Sequence, residues 1–199
     1  LKNVIDKEMI ETLLEEFELQ LSERKLKTSN DWFATIDQPL INCPTVLNFA
    51  FHDLIIKIAS EYFTCLPSLG TFNLRRSFVN NRAPIETQLF HVDPNSIRFL
   101  KFFIYLNDVD IDGGPLTIIR ESVNKKFPGW DNPNKYRWSF EEMIKVYGVE
   151  KIKFLNANMG DLLIANTTGF HCGLPPSLRD RTMLTLNYVL HPEGWAPPV

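Results

Sequence analysis

From Pro67 onward the chain is a succession of short β-prone runs closed by turn residues, and no other feature restricts the fold as much. The runs cover 69–79, 86–93, 98–109, 114–120, 151–157, 161–167 and 181–190. They are rich in the aromatic, β-branched and aliphatic side chains that suit a pleated, half-buried surface. Between them stand Asn80-Asn81, Asp112-Gly113-Gly114-Pro115, Met159-Gly160-Asp161 and Leu174-Pro175-Pro176, residues that supply unusual backbone angles or preset them. Strands this short and this closely punctuated predict a mainly β, antiparallel sandwich or barrel.

A helical preface of 1–66 precedes the β region 67–199, and the 199 residues are read together as one domain. Ile10, Leu13, Leu14, Phe17 and Leu21 recur at helical spacing with glutamates on the other face, which predicts an amphipathic helix over 4–27. Thr45 is expected to cap a second helix over 46–63, apolar nearly all round and so packed against a sheet. The segment 30–44, with prolines at 39 and 44, reads as irregular. Residues 121–150 break the β rhythm with "FPGWDNPNKYRW" and a short helix at 139–147, an insertion placed to cover a site, with Trp130, Tyr136 or Trp138 as a wall.

Composition narrows the function classes. A net charge of −3 and a pI near 5.8 give no electrostatic case for a nucleic-acid partner. No apolar run approaches the roughly 20 residues that span a bilayer, and the first residues lack a signal peptide's apolar core and cleavage site. Cys43, Cys65 and Cys172 have no metal-type spacing. An odd number of them suits a reducing compartment, so a cytoplasmic protein is expected.

Chemistry concentrates in a few residues. His91-Val92-Asp93 puts an imidazole and a carboxylate on one face of a strand, because the strand period is two. A second histidine, His171, follows in "TGFHCG". Two imidazoles and one carboxylate make a facial triad that holds non-haem Fe(II) with positions left open, although hydrolytic zinc sites use similar ligands. Arg181 comes ten residues after His171 and opens the last strand, where an antiparallel return would bring its guanidinium beside the metal. A planar, permanently charged fork suits one end of a dicarboxylate, and with an open metal position that describes a site for 2-oxoglutarate.

The ordered set His91, Asp93, Gly114-Pro115-Leu116, Gly160-Asp161, His171 and Arg181 resembles the phytanoyl-CoA dioxygenase-like group of Fe(II)/2-oxoglutarate-dependent oxygenases, over roughly 69–190. The resemblance implies a double-stranded β-helix, or jelly roll, with the N-terminal helices packed on the sheet and a mixed insertion between strands. It implies iron on His91, Asp93 and His171, the distal carboxylate of 2-oxoglutarate on Arg181, and O2 as co-reactant. It also implies a small-molecule substrate, hydroxylated with release of succinate and CO2. Related halogenases lack the carboxylate, so Asp93 points to hydroxylation or a related oxidation. One departure is the continuation "TIIRESVNKKF" after Gly-Pro-Leu, where the family has a Pro-Gly-Ser-His-like turn, and it bears on the substrate.

Further candidates share strand faces with the site. Lys101 and Tyr105 can assist 2-oxoglutarate, while Asn73, Arg75 and Trp130 can meet substrate. Arg75, Arg76, Arg120, Lys125 and Lys126 can line an entrance for an anionic substrate, or are scattered surface charge. Strand parity puts Gln88 on the face away from His91. His52 and His191 read as structural, and Cys172 as a small buried thiol. The plainer alternatives are a solvated His-x-Asp pair, a loop-held His171, and an Arg181 paired with Asp180 or Asp161. At the level of the whole chain they correspond to a non-catalytic or zinc-occupied jelly-roll binding protein, or to a zinc hydrolase.

Overall fold

Two long strands, Ser68–Ser77 (β3) and Arg181–Val189 (β9), form the spine of the protein in a computed structural model that describes residues 1–23, 26–29, 31–93 and 98–190. They pair antiparallel from Ser68 opposite Val189 to Ser77 opposite Arg181, with a register shift at Gly70. Phe99–Tyr105 (β4) pairs with the other edge of β9, and Leu162–Ala165 (β7) with β4. Leu26–Ser29 (β1) and Phe33–Ile36 (β2) complete a six-stranded antiparallel sheet in the order β1-β2-β3-β9-β4-β7. A second sheet holds Leu116–Ile119 (β5) between Ile152–Leu155 (β6) and His171–Gly173 (β8).

The large sheet has one greasy face. Leu184, Leu186 and Tyr188 of β9, Phe102 and Ile104 of β4 and Leu74 of β3 form one core with three helices. These are Lys7–Glu23 (α1, through Ile10, Leu13 and Phe17), Val46–Ala50 (α3, through Phe49) and Asp53–Phe63 (α4, through Ile55, Ala59 and Phe63). The intervening residues of β9, namely Arg181, Met183, Thr185 and Asn187, point instead into a cavity between the two sheets. Behind the small sheet, Phe140–Tyr147 (α5) joins Phe90, Ile119, Trp138, Phe170 and Cys172 in a second core. Among the described residues no helix is long and apolar enough to cross a membrane.

Several local expectations are corrected. The helix expected over 4–27 ends at Glu23, and Leu26 already belongs to β1. The run 46–63 is two helices, broken at Phe51–His52, where His52 Nδ1 accepts from the Leu54 N–H and caps α4. Thr45 caps nothing: its N–H and hydroxyl both donate to the Glu16 carboxylate, tying the start of α3 to α1. The "irregular" 30–44 contains β2 and the single helical turn Pro39–Asn42 (α2). His191 lies outside the described residues.

The Gly-Gly-Pro turn before β5 is a steric requirement. Gly114 sits at φ 69°, and a Cβ there would meet the Leu174 carbonyl oxygen at 2.4 Å. The strand start can therefore lie against the chain leaving β8.

Candidate metal centre

Residues 86–93 are not a strand. Glu86–Gln88 is a 3-10 turn, closed by the Gln88 side chain accepting from the Ile85 N–H at 3.1 Å. Parity therefore never applied to Gln88, which is buried and engaged in holding this turn. After it the chain runs beside β8. His91 N–H donates to the His171 carbonyl at 2.9 Å, and His171 N–H donates back at 3.0 Å. Two residues on, Asp93 N–H donates to the Thr167 carbonyl at 3.0 Å. A two-step bridge thus sets His91 and His171 opposite each other, with ring centroids 4.2 Å apart.

The three side chains converge. His171 Nε2 lies 3.2 Å from Asp93 Oδ2 and His91 Nε2 lies 3.7 Å from Asp93 Oδ1. One donor atom from each residue falls within 4.8 Å of the others, a grouping that can hold a metal ion. Each ring is held from behind: His91 Nδ1 is 2.9 Å from the Leu89 carbonyl and His171 Nδ1 is 3.0 Å from the Gly169 carbonyl. A carbonyl only accepts, so this network puts a proton on the Nδ1 of each ring and turns each Nε2 toward Asp93. That is how metal-ligating imidazoles are oriented.

Charge is set by the same packing. Burial, and next the neighbouring His171, push the His91 imidazole down to about 3, so it is neutral at ordinary pH. Burial alone would raise the Asp93 carboxyl. The hydrogen bond and charge of His171, together with Lys101, outweigh it and hold Asp93 well below the usual carboxylate range. Lys101 Nζ donates to Asp93 Oδ2 at 2.6 Å. Two imidazole nitrogens and one carboxylate oxygen are a donor set that suits a divalent transition metal.

Arg181 reaches this cavity from the large sheet, whereas His171 belongs to the small one, so the expected antiparallel return between them is instead a crossover through 174–180. The guanidinium is 5% exposed; Nη1 donates to the Leu174 carbonyl at 3.2 Å and Nη2 to Ser77 Oγ at 3.3 Å. Its Nε has no partner. Gly173 makes the room, because a Cβ there would lie 3.0 Å from Arg181 Nη2. The acids weighed as partners are engaged elsewhere: Asp180 accepts from the Val79 N–H, and Asp161 from the Asn3 and Asn158 N–H groups. A buried guanidinium facing only neutral oxygens suits an anionic ligand.

The cavity measures about 420 Å3 and is lined by His91, Asp93, His171, Arg181, Lys101, Asn73 and Arg75, together with Thr71, Thr185 and Asn187. Tyr105 shares the face of Lys101 but is fully buried beyond this lining. Its hydroxyl accepts from the Leu116 N–H at 2.8 Å and donates to the Leu155 carbonyl at 3.2 Å, linking the two sheets. Trp130 lies apart from the cavity, in an apolar hollow of about 430 Å3 with Val92, Tyr136 and Trp138 that touches Asp93 from outside. Residues 121–150 contribute nothing to the cavity lining and pack behind the small sheet, so they form no wall over it. Of the basic group only Arg75 reaches the cavity. Arg76 pairs with Glu18, Lys125 with Glu121, and Lys126 bonds main-chain carbonyls.

Thr185, Asn187 and the cradle at Gly173 went unrecognised in the sequence. Counting by twos from Arg181 along the last strand would have found the first two. A larger open hollow of about 700 Å3 lies by Asp108, Asp110 and Arg179, away from the triad.

No family model matches the chain, and no curated protein matches it in sequence. Solved structures do resemble it. HygX from Streptomyces hygroscopicus, solved with nickel and 2-oxoglutarate bound, is 14% identical, with 98% of this chain and 82% of that one covered and a TM-score of 0.67. The epimerase SnoN, in complex with Fe3+, alpha ketoglutarate and nogalamycin RO, is 16% identical over 98% and 82% of the two chains, with a TM-score of 0.71. The carbocyclase SnoK from nogalamycin biosynthesis is 13% identical over 94% and 77%, again with a TM-score of 0.71. At these identities the likeness is one of fold: the chain has the fold of non-haem, 2-oxoglutarate-dependent enzymes.

Proposed function

We propose that this protein is an Fe(II)- and 2-oxoglutarate-dependent dioxygenase of the phytanoyl-CoA dioxygenase-like kind, with a double-stranded β-helix built from the two sheets. The observation that carries the reading is the convergence of His91, Asp93 and His171 within 4.8 Å, in one cavity with the acid-free Arg181. Solved structures of the same fold contain iron or nickel with 2-oxoglutarate, which supports the choice of cofactors. His91 Nε2, His171 Nε2 and an Asp93 oxygen would hold the metal, and Arg181 the distal carboxylate of the cosubstrate. When bound, iron with 2-oxoglutarate and O2 supplies the oxidant for a C–H bond, the cosubstrate leaving as succinate and CO2.

The residues of this chain do the positioning. The Leu89 and Gly169 carbonyls fix the ring orientations, and Lys101 fixes the Asp93 carboxylate. Arg181, held by Ser77 and the Leu174 carbonyl, aims a bidentate cation from the far wall. The cavity between the sheets limits water around the reacting bond. The outcome assigned is hydroxylation of a small molecule.

Anaerobic titration with Mn(II) or Fe(II) followed by 2-oxoglutarate tests this. The wild type should bind 2-oxoglutarate only with metal present, and His91→Ala, Asp93→Ala and His171→Ala should lose that binding. Full succinate formation by the Asp93→Ala protein, or O2-independent hydrolysis with zinc, would overturn the reading.

A further inference from the structure

The cavity carries more positive charge than the metal and cosubstrate account for. Arg75, Lys101 and Arg181 line it against the single carboxylate of Asp93. Lys101 is bonded to Asp93, and in the reading above Arg181 takes one end of 2-oxoglutarate. Arg75 is left over. Its guanidinium lies over the Phe33 ring, 4.5 Å from the centroid, and its Nε is buried with no hydrogen-bond partner. Asp37 lines an adjoining hollow with Arg75 but forms no ion pair with it, and among the described residues no other acid does. Burial, and next the charge of Arg181, push Arg75 down to about 10. A cation kept in such a place gains most from an anionic partner.

A second orphan faces the same space. Asn187 is 1% exposed, and neither its Nδ2 nor its Oδ1 has a partner. Buried carboxamides left wholly unbonded are rare. This one calls for a group that both donates and accepts, which a hydroxyl or an amide does. Asn187 stands opposite Lys101 on one side and Thr71 on the other. Arg75 stands opposite Met183, so the two orphans are four residues apart along the same ladder, roughly 13 Å of strand. Asn73 and Thr185, paired with each other, lie between them.

Resting on the oxygenase reading, we propose that the primary substrate is a small organic acid carrying a hydroxyl or amide, its carboxylate on Arg75 and its polar body reaching Asn187. Arg181 and Arg75 then divide two anions between them, one from the cosubstrate and one from the substrate. The planar fork of Arg75 matches a carboxylate with two parallel hydrogen bonds.

The test uses 4-hydroxybutanoate and 6-hydroxyhexanoate as probes, whose acid and hydroxyl are too far apart for a small chelate ring on the metal. The matching uncharged diols, 1,4-butanediol and 1,6-hexanediol, are the controls. Protein loaded with Mn(II) and saturating 2-oxoglutarate is titrated with each, following the thermal midpoint and the water-proton relaxation caused by Mn(II). At least one acid should raise the midpoint and change the relaxation where its diol does neither. Arg75→Gln should weaken that acid at least tenfold while binding 2-oxoglutarate with unchanged Kd, which also shows that the variant is folded. Asn187→Ala should weaken the acid with the same unchanged Kd. If Arg75→Gln loses 2-oxoglutarate affinity as Arg181→Gln does, Arg75 belongs to the cosubstrate and the proposal falls. It falls equally if acids and diols act alike, or if neither acid binds. Failure of the wild type to bind 2-oxoglutarate would instead defeat the oxygenase reading, and the same titration of the Mn(II) protein without it then decides the Arg75 site.

Discussion

Lys101 Nζ lies 2.6 Å from Asp93 Oδ2, so the one carboxylate of the triad meets a counter-ion supplied by β4. A cation in that place opposes an incoming metal and favours an incoming carboxylate. Lys101→Met should therefore bind Mn(II) more tightly in the absence of 2-oxoglutarate, by about tenfold or ~1.4 kcal/mol, as read by calorimetric titration. Weaker binding would mean that the ammonium serves mainly to hold Asp93 in position.

Gly173 gives a selective lesion. A methyl group there would press on Arg181 Nη2 from 3.0 Å and displace the guanidinium. Gly173→Ala should weaken 2-oxoglutarate by about tenfold, a loss typical of a misplaced bidentate contact, and leave Mn(II) affinity within about twofold. Equal losses of both would place the damage in β8 as a whole.

Tyr105 separates support from binding. Its hydroxyl satisfies the buried Leu116 N–H, and removing it strands that donor. Tyr105→Phe should cost about 1–3 kcal/mol in urea unfolding with the 2-oxoglutarate Kd unchanged. A lost cosubstrate affinity at normal stability would return Tyr105 to the binding site.

His91 makes stability depend on pH. Its folded value is about 3 against an ordinary 6.5, so unfolding takes up a proton wherever the pH lies between the two. The contribution is complete above about pH 6.5 and is lost as the pH falls toward 3. Metal-stripped wild type should lose urea stability over that window more steeply than His91→Gln. Parallel profiles would contradict the burial of a neutral ring.

The cysteines should label unequally. Cys65 is exposed, while burial pushes the Cys43 and Cys172 thiols up to about 12. A maleimide at neutral pH should modify one thiol in the native protein and all three only after denaturation, by intact-mass measurement.

The sheets were legible wherever a strand was long enough to display its period. β9 alternates Arg, Met, Thr, Asn against Leu, Leu, Tyr, and that rhythm reports both its cavity face and its core face. β8 has three residues, too few for any period, and β2 is a four-residue strand shortly before Pro39 with no alternation to betray it. The run 86–93 has strand composition, yet the Gln88 side chain closes a turn that composition does not register. The buried helix breaks at His52 because an imidazole acts as its cap, an unusual choice that propensity does not anticipate. Within the candidate site, residue type and chain order brought His91, Asp93, His171 and Arg181 to notice. Strand parity also offered Arg75 as a substrate contact, whereas Asn187 stayed obscure, because what distinguishes it is the lack of a partner, and only three-dimensional packing defines a lack.

The alternation of β9 has a consequence for how this protein can change. Leu184 and Leu186, clamped by the helices, fix where every neighbour on the opposite face must point. Shifting the strand by one position would put threonine or aspartate in the place of Arg181 and leucine or tyrosine in the place of Asn187, undoing both layers together. The placement of Arg181 and Asn187 is thus underwritten by residues that never meet a ligand. Cavity-facing positions such as Met183 and Thr185 are free to be exchanged for new selectivity, because the fold takes its bearings from the other side.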